Sequence, residues 1–412
     1  MGNKPSAAPN GRGTLHLSLS RDKSLVSMKS TKSTKSARSA RSMRRLSALN
    51  TLPREAVAKL HANVIDPFEI DPIELKMQRN LCGCGHPAMR VDVVCSMSGS
   101  YGSRRPFVDR RLTTTGSSDE MRLARYELMI HCYFVQERMS ASRTQQQHPN
   151  LVVLLGHFEQ QQTLHILTEY YPLCLVVIMH PDAAYALPAY ALFHSENVIR
   201  EAVRQLFHAV VFMHSQGVAH MDISLEKLFM DPNGALRLGD FRHSIYVGKN
   251  PTDHQCRRVL PAPTRKLYAA PELYSGRDVD VFKVDAWSVG VVIIMMLTKL
   301  VPFDEATTKD NNYRLLQVLG LRGFLERFVK ESGQFDAQGQ VVTPLMEDFV
   351  LLLTQLLHCE PEKRCSILDV VDQFPWLKTE DEPPDWPSVS VPTETTSDHP
   401  IKSQDASSST PQ

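Results

Sequence analysis

The sequence predicts an α+β chain of two lobes, a small strand-rich one followed by a larger helical one. Three observations carry that expectation. Short runs of β-type residues recur up to about residue 169, and helical periodicity takes over from about residue 195. The third is bulk: 412 residues with 42% hydrophobic content can bury a large core.

Residues 1–50 come first and stand apart. They hold eleven Lys and Arg against Asp22 alone, so they carry ten net positive charges although the whole chain sums to +1. Rich in Ser and Thr and almost without apolar periodicity, this stretch is expected to be a disordered basic tail. Met1-Gly2-Asn3-Lys4-Pro5-Ser6 fits the pattern for N-myristoylation after methionine removal. One acyl chain holds a membrane weakly, and the basic stretch Arg21 to Arg45 supplies a second attraction to an anionic membrane surface. A solvated basic spacer is the competing reading. Arg44-Arg45-Leu46-Ser47 is similar to a basophilic phosphorylation site.

The folded region is expected at 75–378, with a small lobe at about 75–171 and a large one at about 172–378. Its candidate strands are Arg90–Ser96, Pro106–Leu112, Val152–Glu159 and Thr163–Glu169. Candidate helices follow at Ser195–Ser215, Asp280–Leu297, Asn312–Phe328 and Thr343–His358. The apolar run Val289 to Leu297 is too short to span a membrane and reads as a core helix. From 379 to 412 the chain turns rich in Pro, Ser and Thr, with seven acids against Lys402, and is expected to be a disordered acidic tail.

Composition narrows the function classes. A net charge of +1 gives no basic bias toward nucleic acid, and no nucleic-acid partner is expected. Eight scattered cysteines without a secretory segment do not form a disulfide framework, so a cytoplasmic, reducing setting is expected. Cys82-x-Cys84 is too closely spaced for the usual zinc pair and has no downstream partner pair.

The chemistry is concentrated between Leu206 and Phe241. A helix ends at Met213-His214-Ser215-Gln216-Gly217, and His220-Met221-Asp222-Ile223-Ser224-Leu225-Glu226-Lys227 follows. A polar turn, Asp231-Pro232-Asn233-Gly234, leads to Leu236-Arg237-Leu238-Gly239-Asp240-Phe241-Arg242. Two apolar runs joined by that turn predict a hairpin that holds Asp222 and Asp240 near each other.

Here the chain resembles the protein kinase family. His220-x-Asp222 is similar to the start of the catalytic loop and Asp240-Phe241 to the start of the metal-binding loop. Tyr268-Ala269-Ala270-Pro271-Glu272 resembles the end of the activation segment, and Asp285-x-Trp287-Ser288-x-Gly290 the large central helix. Arg364, after Pro361, stands where the buried partner of Glu272 belongs. The resemblance implies a two-lobed kinase-like fold, ATP with Mg2+ or Mn2+ as cofactors, and a protein substrate or partner.

The same resemblance assigns site residues. Asp222 would orient the acceptor hydroxyl, and Asp240 would be the main metal ligand. Arg110, in place of the nucleotide lysine, would meet the phosphates, with Glu137 as its ion-pair partner; a one-residue shift would put Arg111 there instead, and a solvated glutamate competes for Glu137. Gly83 and Gly85 are the best candidates for the phosphate-covering loop. Thr168 resembles the gatekeeper, and Glu169 and Tyr171 lead into the hinge.

Several departures bear on turnover. Lys227 replaces the asparagine that is the second metal ligand, and an ammonium repels a cation while it can pair with Asp240 or Asp222. Arg242 replaces the glycine after Asp240-Phe241. Ser224 stands where many Ser/Thr kinases carry a lysine. Met221 replaces the arginine that reads activation-loop phosphorylation, and Arg265 replaces the usual threonine before Tyr268. The expected function is a pseudokinase or strongly impaired phosphotransferase acting as scaffold or allosteric partner; the alternative is an active ATP-dependent serine/threonine kinase.

Overall fold

A computed structural model describes residues 68–71, 75–82, 89–96, 106–113, 118–142, 147–179, 195–231, 233–261, 263, 265–331 and 347–378. Both expected tails, Gly83 and Gly85 lie outside the described residues.

The small lobe is a five-stranded antiparallel sheet, β1 Leu75–Cys82, β2 Met89–Ser96, β3 Phe107–Thr113, β4 Leu154–Gln160 and β5 Thr163–Glu169, in the order β1-β2-β3-β5-β4. Four of these strands are legible as alternating runs; β1, with Lys, Gln, Arg and Asn inside it, is not. One helix, α1 (Ser118–Ser142), covers one face. Its Ala124 and Leu128 pack on Leu112, Leu154, Leu164 and Ile166. Val94, Phe107, Phe158 and Leu167 form the cluster on the other face, with Ile70 and Leu75 against it. Side-chain alternation decides which β3 residues meet α1. Arg110 lies on the face of Leu112, toward α1, whereas Arg111 sits on the opposite face and pairs with Asp92 and Asp109.

The larger lobe is built on α2 (Glu196–Ser215) and α3 (Val281–Thr298), with α4 (Asn311–Glu331), α5 (Glu347–Leu356) and α6 (Ile367–Gln373) around them. Asp280 caps α3 by accepting from the backbone N–H of Phe282 at 2.9 Å and of Lys283 at 3.3 Å. Nearly every α3 side chain is buried, so an apolar helix long enough to cross a membrane is here the core of a lobe. Each such Val or Ile contributes about 1.5–3 kcal/mol by leaving water. α4 is kinked where Gly320 adopts φ 67°, a conformation that costs a side-chain-bearing residue strain.

Short strands place the chemistry between the lobes. β6 (Leu173–Cys174), β8 (Leu228–Met230) and β9 (Leu236–Leu238) form one sheet, while β7 (Val218–Ala219) pairs with β10 (Ile245–Tyr246). The β8–β9 hairpin turns where Asp231 Oδ1 accepts from the N–H groups of Asn233 at 2.8 Å and Ala235 at 2.9 Å. β11 (Arg257–Val259) pairs with β12 (Asp278–Asp280), tying the chain after Asp240 to the start of α3.

Candidate active site

Asp222 and Asp240 flank the β8–β9 hairpin, each on a loop whose backbone is fixed from below. Asp285, fully buried on α3, accepts from the N–H of His220 at 2.6 Å and of Met221 at 2.8 Å. Its Oδ2 also meets His214 Nε2 at 3.0 Å. Met221 has φ 65° and Asp240 φ 70°, both left-handed and both unfavourable for side-chain-bearing residues by roughly 1 kcal/mol or more. Such conformations persist only where the surroundings over-determine them, and here the buried carboxylate of Asp285 does so for Met221. At Gly239 a Cβ would come within 2.5 Å of a Val152 methyl, so a side chain there would force Val152 to move. The Gly239 N–H donates to the carbonyl of Lys227 at 3.0 Å, and this bond places residue 227 beside Asp240.

Asp240 is enclosed by cations. Lys227 Nζ donates to Oδ2, and Arg242 donates from Nε to Oδ1 at 2.6 Å and from Nη2 to Oδ2 at 2.7 Å. Burial opposes ionisation of this carboxyl, but Lys227, Arg242 and Arg110 together hold its pKa well below the ordinary carboxylate range. Arg242 loses solvation in the same place and gains more from Asp240, so it stays charged. It also reaches toward Glu120 of α1, 3.9 Å away.

Arg110 meets α1 through Glu127, at 2.5 Å. This corrects the expected pairing with Glu137, which instead binds Lys249. The physical reason is helical geometry: ten residues carry a side chain about 15 Å along the axis and onto another face. Glu127 is buried, and the signal that could have found it is a lone acid inside the apolar run Tyr126 to Val135. The helix that bears it was also missed. Its middle is buried on all sides, so no polar face marks the period.

Phe241 turns inward, with its ring centroid 4.8 Å from that of His131 on α1 and 5.8 Å from that of His220. Burial, with Arg110 nearby, pushes the His131 pKa down to about 3, and burial lowers His220 as well. Both rings are therefore neutral packing groups near neutral pH.

Asp222 is engaged from the opposite side. Arg265 donates from Nε to Asp222 Oδ1 at 3.0 Å, and its Nη1 lies 2.8 Å from Glu226 Oε1. Tyr268 completes the group by donating to Glu226 Oε2 at 3.0 Å. Ser224 is fully buried, and its hydroxyl has no hydrogen-bond partner among the described residues. The cation beside Asp222 thus comes from the segment before Tyr268 rather than from the loop itself.

At the hinge end, Thr168 is half-buried and pairs across the sheet with Val108 and Leu154. Tyr171 donates to Glu169 Oε2 at 2.9 Å and accepts from the Val153 N–H at 3.2 Å, which fixes both hinge residues. The structure therefore pairs Lys227 with Asp240, holds Arg110 on Glu127 of α1, and holds Asp222 on Arg265. Thr168, Glu169 and Tyr171 lie at the end of β5, and Glu137 stands apart with Lys249.

The residues do not fit a divalent cation at Asp240. Both carboxylate oxygens are already bonded to cations, and Lys227 holds the place of the second ligand. At about 4 Å and an effective dielectric of about 20, two unit charges interact by about 4 kcal/mol, so a dication would meet roughly twice that from each fixed cation. Arg110 fits an anionic ligand better. Its Nε is buried with no partner among the described residues.

Glu272 and Arg364 form the expected pair. Arg364 Nη1 donates to Oε1 at 2.6 Å and Nη2 to Oε2 at 3.1 Å, with the guanidinium 5.0 Å from the Trp287 ring centroid.

A family model described as "Protein kinase domain" matches residues 121–377. Among curated proteins the chain is 29% identical over 183 residues to CBL-interacting protein kinase 25 of Oryza sativa subsp. japonica, which covers 44% of this chain and 31% of that protein. It is 32% identical over 187 residues to serine/threonine-protein kinase chk1 of Schizosaccharomyces pombe, covering 44% and 33%. A third relative, maternal embryonic leucine zipper kinase of Xenopus tropicalis, is 32% identical over 183 residues, covering 44% and 24%. The matches span about a third or less of these relatives' own length. With more than half of its residues matched and its loops hung on a buried Asp285 and a Glu272–Arg364 pair, the chain belongs to the protein kinase domain family.

Proposed function

We propose that this protein is a signalling pseudokinase, or a strongly impaired phosphotransferase, that works as a scaffold or allosteric partner of other proteins. The observation that carries this reading is the double cationic lock on Asp240 by Lys227 and Arg242. Phosphoryl transfer needs metal ions that bridge the phosphates and neutralise developing charge. A carboxylate already neutralised by two side chains is a poor ligand for them. The Arg265 contact adds a second obstacle, because it engages one oxygen of the carboxylate that would orient an acceptor hydroxyl.

The chain retains what a scaffold needs. The Arg110–Glu127 pair and the His131–Phe241–His220 column join α1 to both lobes, and Lys249–Glu137 adds a further tie. The same column, with Asp222 and Asp240 retained, favours the second reading, an active serine/threonine kinase with a compensating metal ligand. Residues 1–50 would add attachment to an anionic membrane surface from the cytoplasmic side.

The test is ATP binding by the purified chain with Mg2+ and with Mn2+, alongside incorporation of labelled phosphate into itself and a generic protein. Binding without transfer, or neither, supports the scaffold. Transfer that Asp222→Asn abolishes supports the enzyme.

A further inference from the structure

The cluster at Asp240 is a wrecked metal site only if charge is ignored. Relative to the kinase pattern, Lys227 stands for a neutral asparagine and Arg242 for a neutral glycine. Together they add two positive charges, the charge of one divalent cation, and both reach Asp240. We infer that these two side chains replace the metal electrostatically, so that the cleft takes a nucleoside triphosphate as the free anion and gains nothing from Mg2+. This rests on the reading of the chain as a kinase-like protein without normal metal chemistry, and it names the ligand form that such a cleft accepts.

Three features make the replacement structural rather than a chance contact of loose side chains. The ammonium is positioned by backbone bonds at both groups of residue 227, from its N–H to Ser224 O at 3.0 Å and from the Gly239 N–H to its carbonyl at 3.0 Å. Arg242 grips both Asp240 oxygens in a fork, which fixes its plane. Both cations are largely but not wholly withdrawn from water, with side-chain exposures of 14% and 18%. That degree of burial strengthens their interaction with an anion while leaving an approach open.

Donors remain for phosphate oxygens. Lysine has three N–H donors, and among the described residues Lys227 has one side-chain partner, Asp240. Arg110 is held by Glu127 through Nη2, and 16% of its side chain stays exposed. Arg110 pairs with Glu127 and Arg242 reaches toward Glu120, two turns earlier on the same face of α1, so these cations line one side of the cleft. Polyphosphate is the anion whose several charges suit such a set, and a guanidinium binds phosphate in a directed way. In this arrangement a dication accompanying the triphosphate would be repelled by Lys227 and Arg242 rather than received by Asp240.

The experiment is a direct titration of the full chain with ATP by calorimetry, once in EDTA and once in excess MgCl2. Electron paramagnetic resonance of Mn2+ with the protein alone reads the metal separately. The expected result is ATP affinity in EDTA at least equal to that in Mg2+, with any difference in favour of the metal-free buffer. The Mn2+ signal should stay that of the free ion. Arg110→Met and Lys227→Met should each weaken metal-free binding by about tenfold. Binding that requires Mg2+, Mn2+ captured by the protein, or no ATP binding in either buffer each overturns the inference. Failure here is distinguishable from failure of the proposed function, which only phosphate transfer by the parent chain would reveal. Should Lys227→Met not fold, the comparison of buffers on the parent still decides.

Discussion

Arg364→Ala should destabilise the large lobe severely, and the structure shows where the loss arises. The Arg364 side chain is fully buried and gives two bonds to Glu272, two to the carbonyl of His358 and one to that of Lys283. Removing it strands a Glu272 side chain that is only 9% exposed. Breaking a buried pair in this way costs about 3–5 kcal/mol. The carbonyls of His358 and Lys283 also lose donors, which moves the total toward the upper end. Taking about 2–4 °C per kcal/mol for a domain of this class, the melting temperature should fall by roughly 6–20 °C. The assay is thermal unfolding of parent and variant by circular dichroism, without nucleotide. Arg364→Lys should fall between the two, because one ammonium cannot reproduce the fork on Glu272. A paired replacement, Glu272→Gln with Arg364→Met, should recover part of the loss and so show coupling. An Arg364→Ala melting curve within about 2 °C of the parent would refute the reasoning, since it would mean that burial of this pair carries no energetic weight.

Three further outcomes follow from other parts of the chain. Arg265→Ala should free Asp222 and Glu226 and speed hydrogen exchange around Tyr268; unchanged exchange there would show that the contact does not hold the segment. His131→Phe should flatten the acid side of the stability curve. The unfolded chain takes a proton at His131 near 6.5 whereas the folded one resists until about 3, so parent stability falls in that window as pH drops, by up to about 1.4 kcal/mol per unit, and is unaffected above it. Denaturant midpoints from pH 7 to pH 4 would test this, and parallel curves for parent and variant would contradict it. Gly2→Ala should move the protein from membrane to soluble fractions, and an identical distribution with no acyl group found by mass spectrometry would rule out the lipid anchor.

Much of the fold was legible because it rests on local pattern. Alternation marks β2 to β5, and the Asp231 turn marks the β8–β9 hairpin. The buried run of α3 follows directly from its apolar sequence. What escaped was set by tertiary context. Buried through its middle, α1 offers no periodic polar face, and the choice of Glu127 over Glu137 depends on where the helix starts against β3. Within the site, Lys227 and Arg242 could be recognised as foreign to a metal loop from their positions alone, and pairing of Lys227 with Asp240 was one of two expected partners. Arg265 was visible only as a missing threonine. Its contact with Asp222 joins residues 43 positions apart and has no local signature.

The central claim is that two side-chain cations, rather than any fault in the fold, keep this cleft from handling metal-bound phosphate. The most direct measurement is phosphate transfer in Mg2+ by the double variant Lys227→Asn with Arg242→Gly, compared with the parent at equal folded concentration. The account predicts a parent that is nearly silent and a double variant with clearly raised transfer that Asp222→Asn again removes. Robust transfer by the parent, lost in Asp222→Asn, would contradict it.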